Sequence, residues 1–325
     1  MRFGNVVLSV IAASNPLVVL AQPGKSIPRI GVAVVGYSAC NHNPRLESLY
    51  SGLRDLGYVI GSNLEVDCKG YADSSDMRKV LSGFVAAKVH VIVAGGPQPA
   101  KVARDLTRDI PIVCPSCGDP VGNGLVASLR RPGGNVTGFA SLSAELIGKR
   151  LGLLKEAAPR IPRVAALISP DNPGTKLTLK ALDDAGRALG LTIVRVEYRA
   201  IDDLDRVLEA VAATGAGAIL IQDDPFLFVH RKRIADFALK HRLAASAGLT
   251  EFTDEGVLMA YGPDRNDMYR RTAGYLDRIL RGTKAGDLPF EQAAKLDFVV
   301  NLKTAKAIGL AIPESILIQA TRIIE

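Results

Sequence analysis

Tryptophan is absent from this 325-residue chain, and the other rings are few, nine Phe and eight Tyr. A chain so poor in aromatics has no evident stacking platform for single-stranded nucleic acid. Charge of one sign is not concentrated either. Forty Lys+Arg are interleaved with 33 Asp+Glu, and no basic block is longer than His230-Arg231-Lys232-Arg233. That balance reads as a solvated surface, so no nucleic-acid partner is expected. Catalytic signatures are missing as well: there is no GxGxxG after the first strand, no GxxxxGK[ST], no GxSxG and no HExxH. The four histidines, His42, His90, His230 and His241, are scattered, so nucleophile and base are not jointly visible. The expectation is a binding protein rather than an enzyme, with no cofactor and no metal. What remains, 48% hydrophobic and 22% charged residues, suits ordinary cores in two domains.

The first 21 residues stand apart from the rest. Arg2 gives a positive start, Val6 to Ala21 is uncharged and apolar, and Val19-Leu20-Ala21 ends the stretch with a small residue. This is the pattern of a secretory signal. A membrane anchor fits less well, because a span needs ~20 apolar residues and Ser14-Asn15-Pro16 interrupts this one. Cleavage near Ala21, a mature chain from Gln22 and a periplasmic address are expected. An oxidising compartment favours disulfides. Cys40 and Cys68 fall near the ends of predicted strands Ile30–Gly36 and Leu64–Cys68, which as parallel neighbours would bring the two together. Cys114 and Cys117 have CxxC spacing without a second CxxC, so zinc is weakly supported. A metal site from Cys40, His42 and Cys114/Cys117 is the alternative.

From Arg29 short apolar runs alternate with amphipathic stretches. Ile30 to Val35 precedes Leu46, Leu49, Tyr50, Leu53 and Leu56, whose spacing marks one helical face. Leu64–Cys68, Asp73–Lys88 with Asp73 as N-cap, Val89–Ala94, Gln98–Arg108, Ile110–Cys114 and Asn135–Ala140 continue the rhythm. Then it begins again: Arg163–Ile168 restates the first strand, Asn172-Pro173 restates Asn43-Pro44, and Ala218–Ile221 ending in Pro225 answers Val91–Ala94 ending in Pro97. Landmarks recurring in one order describe an α/β fold of two doubly wound parallel-sheet lobes. Residues 29–140 plus about 262–288 make the N-terminal lobe in this reading, and 141–261 plus about 289–325 the C-terminal lobe. The helix Asp264–Arg281 has no strand of its own and packs back on the first lobe, which makes a hinge of several segments.

In such sheets ligands sit beyond the carboxyl ends of the strands, where helix N-termini point free N–H groups. The candidates there are Tyr37, Gly96 and Gln98, then Asp119, on the first lobe, and Asn172, Gly174, Thr175, Asp224 and Tyr261 on the second. Asp119 and Asp224 are candidates to meet a ligand ammonium, or else cap helices. The run Cys117-Gly118-Asp119-Pro120-Val121-Gly122-Asn123-Gly124, leading to Arg131-Pro132-Gly133-Gly134-Asn135-Val136-Thr137-Gly138, resembles ABC transporter substrate-binding proteins of the type I periplasmic-binding-protein fold. So do Tyr261-Gly262-Pro263-Asp264 and Leu296 to Lys306. The resemblance implies a hinge crossed three times, a small ligand (an amino acid or aromatic acid) closed in the cleft, and a membrane permease as partner of a monomer. By position it puts Gly96 to Gln98, Asp119, Asn172 to Thr175, Asp224 and Tyr261 against the ligand. Gly96-Pro97-Gln98-Pro99 departs from the family's Gly-Thr-Pro-Ala-like loop, and the four cysteines are unusual there. A two-lobed glycosyltransferase- or epimerase-like enzyme is the competing reading.

Overall fold

A computed structural model describes residues 27–36, 40–41, 43–199 and 204–325. The leader expected over residues 1–21, Tyr37 and His42 lie outside them. The first half runs β1 (Arg29–Val35), α1 (Pro44–Asp55), β2 (Glu65–Tyr71), α2 (Ser74–Ala86), β3 (Val91–Ala94), α3 (Pro97–Leu106), β4 (Ile112–Cys114) and β5 (Val136–Ala140). The second half runs α4 (Ile147–Ala157), β6 (Arg163–Ile168), α5 (Thr175–Leu189), β7 (Thr192–Glu197), α6 (Leu204–Ala213), β8 (Ala218–Ile221), α7 (Pro225–Val229), α8 (Arg231–Lys240), β9 (Ala244–Ala247), α9 (Glu251–Asp254) and β10 (Met259–Pro263). It ends with α10 (Arg265–Leu280), β11 (Glu291–Gln292), β12 (Leu296–Asn301), α11 (Leu302–Ile308), α12 (Glu314–Gln319) and β13 (Arg322–Ile324). Local chemistry sets the helix starts. Asn43, Asp73, Asp224, Asp264 and Asn301 each accept a backbone N–H of the first turn of the helix that follows.

The sheets have the orders β11-β5-β4-β3-β1-β2 and β13-β12-β10-β9-β8-β6-β7. Within each, the first five strands of the lobe lie as second, first, third, fourth, fifth, so the repeat in the sequence is a repeat in topology. All pairings are parallel except β10 against β12. The central strands are apolar on both faces, as Val91–Ala94 and Ala218–Ile221 are buried throughout, while the edge strands β2 and β7 are partly exposed.

The chain passes between the sheets after β5, after β10 and after β11. Helix α10 leaves the second sheet and packs on α1 of the first, burying Met268, Tyr275 and Leu276 with Leu46, Leu49 and Leu53. Gly52 permits that approach, since a Cβ there would lie 2.5 Å from the Arg270 carbonyl oxygen. Tyr58 Oη donates to Asp277 at 3.0 Å across the same seam. The return runs further than the boundary expected near residue 289: Glu291 and Gln292 still pair with Phe139 and Ala140 of β5. Tyr275 Oη holds this short strand through the Pro289 carbonyl (2.6 Å) and Glu291 (2.9 Å). Cys40 is joined to Cys68, and Cys114 to Cys117, with Cα atoms 5.9 and 5.6 Å apart.

Candidate functional site

The order second, first, third places a topological switch point between β1 and β3, and between β6 and β8, where loops diverge and leave a crevice. The two crevices face each other across one cavity of about 70 Å³. Gly95, Gly96 and Pro97 from the β3–α3 turn, Ser116, Gly118 and Asp119 after β4, and Ser141 and Ser143 after β5 line one side. Asn172 and Gly174 after β6 and Gln222 to Pro225 after β8 line the other, with Arg150 and Arg265.

The charged centre lies on the second side. Arg150 is fully buried, on the face of α4 that also buries Ile147, Leu151 and Leu154. Its Nε donates to the Tyr261 carbonyl at 2.7 Å and its Nη2 to Asp223 Oδ2 at 3.1 Å. Arg265, at the start of α10, brings Nη2 to 3.7 Å from the same carboxylate oxygen. Burial pushes the Asp223 carboxyl up, but the two guanidiniums, helped by the Ser143 hydroxyl, hold it below the ordinary carboxylate range. Burial likewise lowers the Arg265 value. Gly248 makes room for this cluster, because a Cβ there would fall 2.1 Å from both Arg150 Nη2 and Asp223 Oδ1. Two cations surround one anion, and Asp223 Oδ1, Arg150 Nη1 and Arg265 Nε are buried with no hydrogen-bond partner. Such orphans are costly unless something else completes them.

Asp224, the next residue, does a different job. Its Oδ1 accepts from the Phe226 and Leu227 N–H groups at 2.9 and 3.2 Å, and Asn172 Nδ2 donates to Oδ2 at 3.0 Å. Burial raises its pKa against these bonds. Asp119 also caps its own turn, accepting from Val121 and Gly122 N–H at 3.1 and 2.8 Å. Both carboxylates singled out in the sequence to meet an ammonium are thus occupied as caps, a use that a βα loop makes of any Asp before Pro. Thr175 is turned inward: its hydroxyl donates to Ser169 O at 2.5 Å and accepts from Gln222 Nε2 at 2.9 Å. Tyr261 contributes its carbonyl to Arg150 while its ring packs edge-on to Phe298. Gly96, Asp119, Asn172, Gly174 and Asp224 therefore line the cavity; Gln98, Thr175 and Tyr261 are not among its lining residues.

Besides the approach of Arg265 to Asp223, an ion pair joins α1 to α9 across the cleft. Arg45, in the first turn of α1, donates from Nε to Glu251 Oε1 of α9 at 2.8 Å, and from Nη2 to the same oxygen. Arg45 holds the Glu251 carboxyl below its ordinary value against the effect of burial. Its guanidinium also lies 4.5 Å from the centroid of Phe228, whose ring has Arg231 at 4.7 Å.

A family model described as ABC transporter substrate binding protein matches residues 37–324. The chain belongs to this family. This substrate-binding protein is 24% identical over 281 residues to the Tyrosine-binding protein of Clostridioides difficile (strain R20291), spanning 85% of this chain and 81% of that one. Among solved structures it superposes on an ABC domain in complex with L-Trp from Streptococcus pneumonia with TM-score 0.84 at 23% identity, covering 92% and 100% of the two chains. The ligand-free, open structure of a substrate binding protein with adhesive properties from Clostridium difficile gives TM-score 0.63 at 22% identity, covering 92% and 99%. Both share the two-lobe fold. Among the described residues of this substrate-binding protein no group of three or more His, Cys, Asp or Glu could hold a metal, and no helix is long and apolar enough to cross a membrane. The cysteines offered for a metal with His42 are each in a disulfide.

Sequence reasoning placed the loop from Gln222 to Pro225 at the cleft but singled out Asp224 rather than Asp223, and it passed over Arg150, Arg265, Arg45 and Ser116. For Arg150 a signal existed: it lies three residues after Ile147 and four before Leu154, on the apolar side of its helix, where a charge demands a partner. Asp223 and Asp224 both line the cavity, but Asp223 meets two guanidiniums while Asp224 caps α7, and spacing does not carry that difference.

Proposed function

We propose that the protein is the exported, monomeric ligand-capturing component of an ABC importer, and that its ligand is an amino acid held by both charges. The observation that carries this reading is the Arg150–Asp223–Arg265 cluster with its three unpartnered atoms. The excess guanidinium charge suits a ligand carboxylate, and Asp223 Oδ1 suits an ammonium, so a zwitterion completes every orphan at once. Val35, Pro97, Leu177, Phe228 and Leu249 supply apolar lining for a side chain. The tyrosine and L-Trp named for the relatives support an aromatic one. The cavity is lined from both lobes, so a ligand held in it is contacted by both and enters as they part. The better superposition on the L-Trp complex than on the open structure, at nearly equal identity, supports a closed arrangement here. The leader over residues 1–21 delivers the chain to the periplasm, where the two lobes present the loaded ligand to a membrane permease.

Isothermal titration calorimetry with L-tryptophan and L-tyrosine, beside tryptamine and tyramine, tests this. The amino acids should bind one to one and the decarboxylated amines at least tenfold more weakly. At a hundredfold excess over Kd the ligand should stabilise the fold by about 2.7 kcal/mol. No binding of any amino acid in a full panel would remove the reading, and equal binding of the amines would remove the carboxylate contact.

A further inference from the structure

We propose that the Cys114–Cys117 disulfide is a positioning device for the ligand loop, holding Ser116 as a ligand-contacting hydroxyl on the first lobe; the inference rests on the clamp reading above. Ser116 is 2% exposed, lines the cavity, and its Oγ has no hydrogen-bond partner. A buried hydroxyl left unpaired is unfavourable, and a ligand entering the cavity that Ser116 lines would supply the missing partner. It faces the side of the cavity opposite the charged cluster, where a neutral donor or acceptor would meet the rest of a ligand held by Arg150 and Asp223.

The hydrogen bonds that fix this turn fall on its flanks. Cys114 is in register with Gly138 of β5, the Cys117 N–H donates to the Phe139 carbonyl at 2.8 Å, and the Gly118 N–H donates to Ser141 Oγ at 3.0 Å. Pro115, between them, has no N–H to contribute. The disulfide closes a ring over this interval, with both sulfurs in the core and neither cysteine exposed. A sequence separation of three residues removes little chain entropy compared with the 28 spanned by Cys40–Cys68. The short bridge is therefore poorly suited to stabilising the whole fold and well suited to fixing one loop. Pre-setting that loop lowers the ordering cost of binding.

The test uses the mature full chain and pairs affinity with local mobility. Because both sulfurs are buried, the disulfide is removed as Cys114→Ala/Cys117→Ala, with Cys114→Ser/Cys117→Ser as a second route should the first fold poorly. Calorimetry with L-tryptophan and L-tyrosine should show at least tenfold weaker binding for Ser116→Ala and for the disulfide variant. The combined variant should lose no more than either alone, as expected if the bridge acts through Ser116. Removing Cys40–Cys68 should do the reverse, lowering the unliganded melting temperature more while sparing affinity. Hydrogen exchange of the unliganded protein should accelerate at least tenfold over residues 116–119 in the disulfide variant and remain unchanged elsewhere. Full-strength binding by the disulfide variant, additive losses, or unchanged exchange at 116–119 would each overturn the proposal. A wild-type chain that binds neither amino acid would instead count against the ligand reading, and the exchange measurement would still decide the staple.

Discussion

On the first sheet the loops at the strand ends offer Gly95, Gly96, Pro97, Ser116 and Gly118 to the cleft, and their one carboxylate, Asp119, caps its own turn. On the second sheet the equivalent loops carry Asp224 and Asp223, the latter braced by Arg150 from α4 and Arg265 from the crossover into α10. The two lobes have the same strand order, so the difference does not come from topology. It comes from which side chains stand at the switch points, as expected where function is grafted on a shared fold. If the ligand is the zwitterion proposed above, the Arg150–Asp223–Arg265 cluster is its anchor, and the first-lobe wall, whose charged groups Asp119 and Arg45 are engaged with their own turn and with Glu251, adds contacts as the lobes approach. On the proposed reading the second lobe is the docking half and the first the closing half.

The sharpest way to break this comparison is one chemical change made at two adjacent positions. Asp223→Asn strips the anion from between two buried guanidiniums, and removing one partner of a buried pair costs about 3–5 kcal/mol. Urea unfolding of the unliganded protein should show that loss, and calorimetry should find amino-acid binding abolished. Asp224→Asn keeps the cap through one oxygen but turns its amide N–H groups toward the Asn172 Nδ2 donor, so it should cost a smaller ~1–3 kcal/mol in unfolding and leave affinity nearly unchanged. Equal effects at the two sites would erase the distinction between ligand group and cap.

The same pair separates with pH. Asp223 is depressed in the folded state, so its contribution is present above the ordinary Asp value of about 3.9 and is lost as pH falls below it. Asp224 is raised, so its contribution is present below that value and is lost as pH rises through its higher folded value. The stability gap between wild type and Asp223→Asn should therefore shrink on acidification below about pH 4. A gap that is flat with pH would mean that Asp223 does not carry the charge assigned to it.

A smaller effect is expected where the halves touch. Arg45→Ala removes the cross-cleft pair with Glu251 and the contact with Phe228. Side-chain exposures of 12% and 33% place this pair between surface and core, and a partly screened pair contributes about 0.5–1 kcal/mol. The change should appear as a severalfold faster ligand dissociation in stopped-flow fluorescence, with association nearly unaltered. Slower dissociation would show that Arg45 obstructs the cleft rather than latches it.

Much of the scaffold was legible before any coordinates. Runs such as Ile30–Val35 and Arg163–Ile168 repeat in order, and Asp73 and Asp264 announce helix starts by a local rule that tertiary structure does not override. Strands β11 and β13 were not legible, since residues as polar as Glu291-Gln292 become a strand only by pairing with β5. The same limit applies to the site. Which loops meet follows from strand order, but Arg150 reaches Asp223 across 73 residues, and only packing decides that contact.

Closure of two lobes on a ligand is tested most directly by small-angle scattering of the purified protein with and without saturating L-tryptophan. The radius of gyration should fall when ligand is added, and the liganded curve should match the closed arrangement described above. An unchanged radius of gyration, with calorimetry reporting full occupancy, would contradict the clamp.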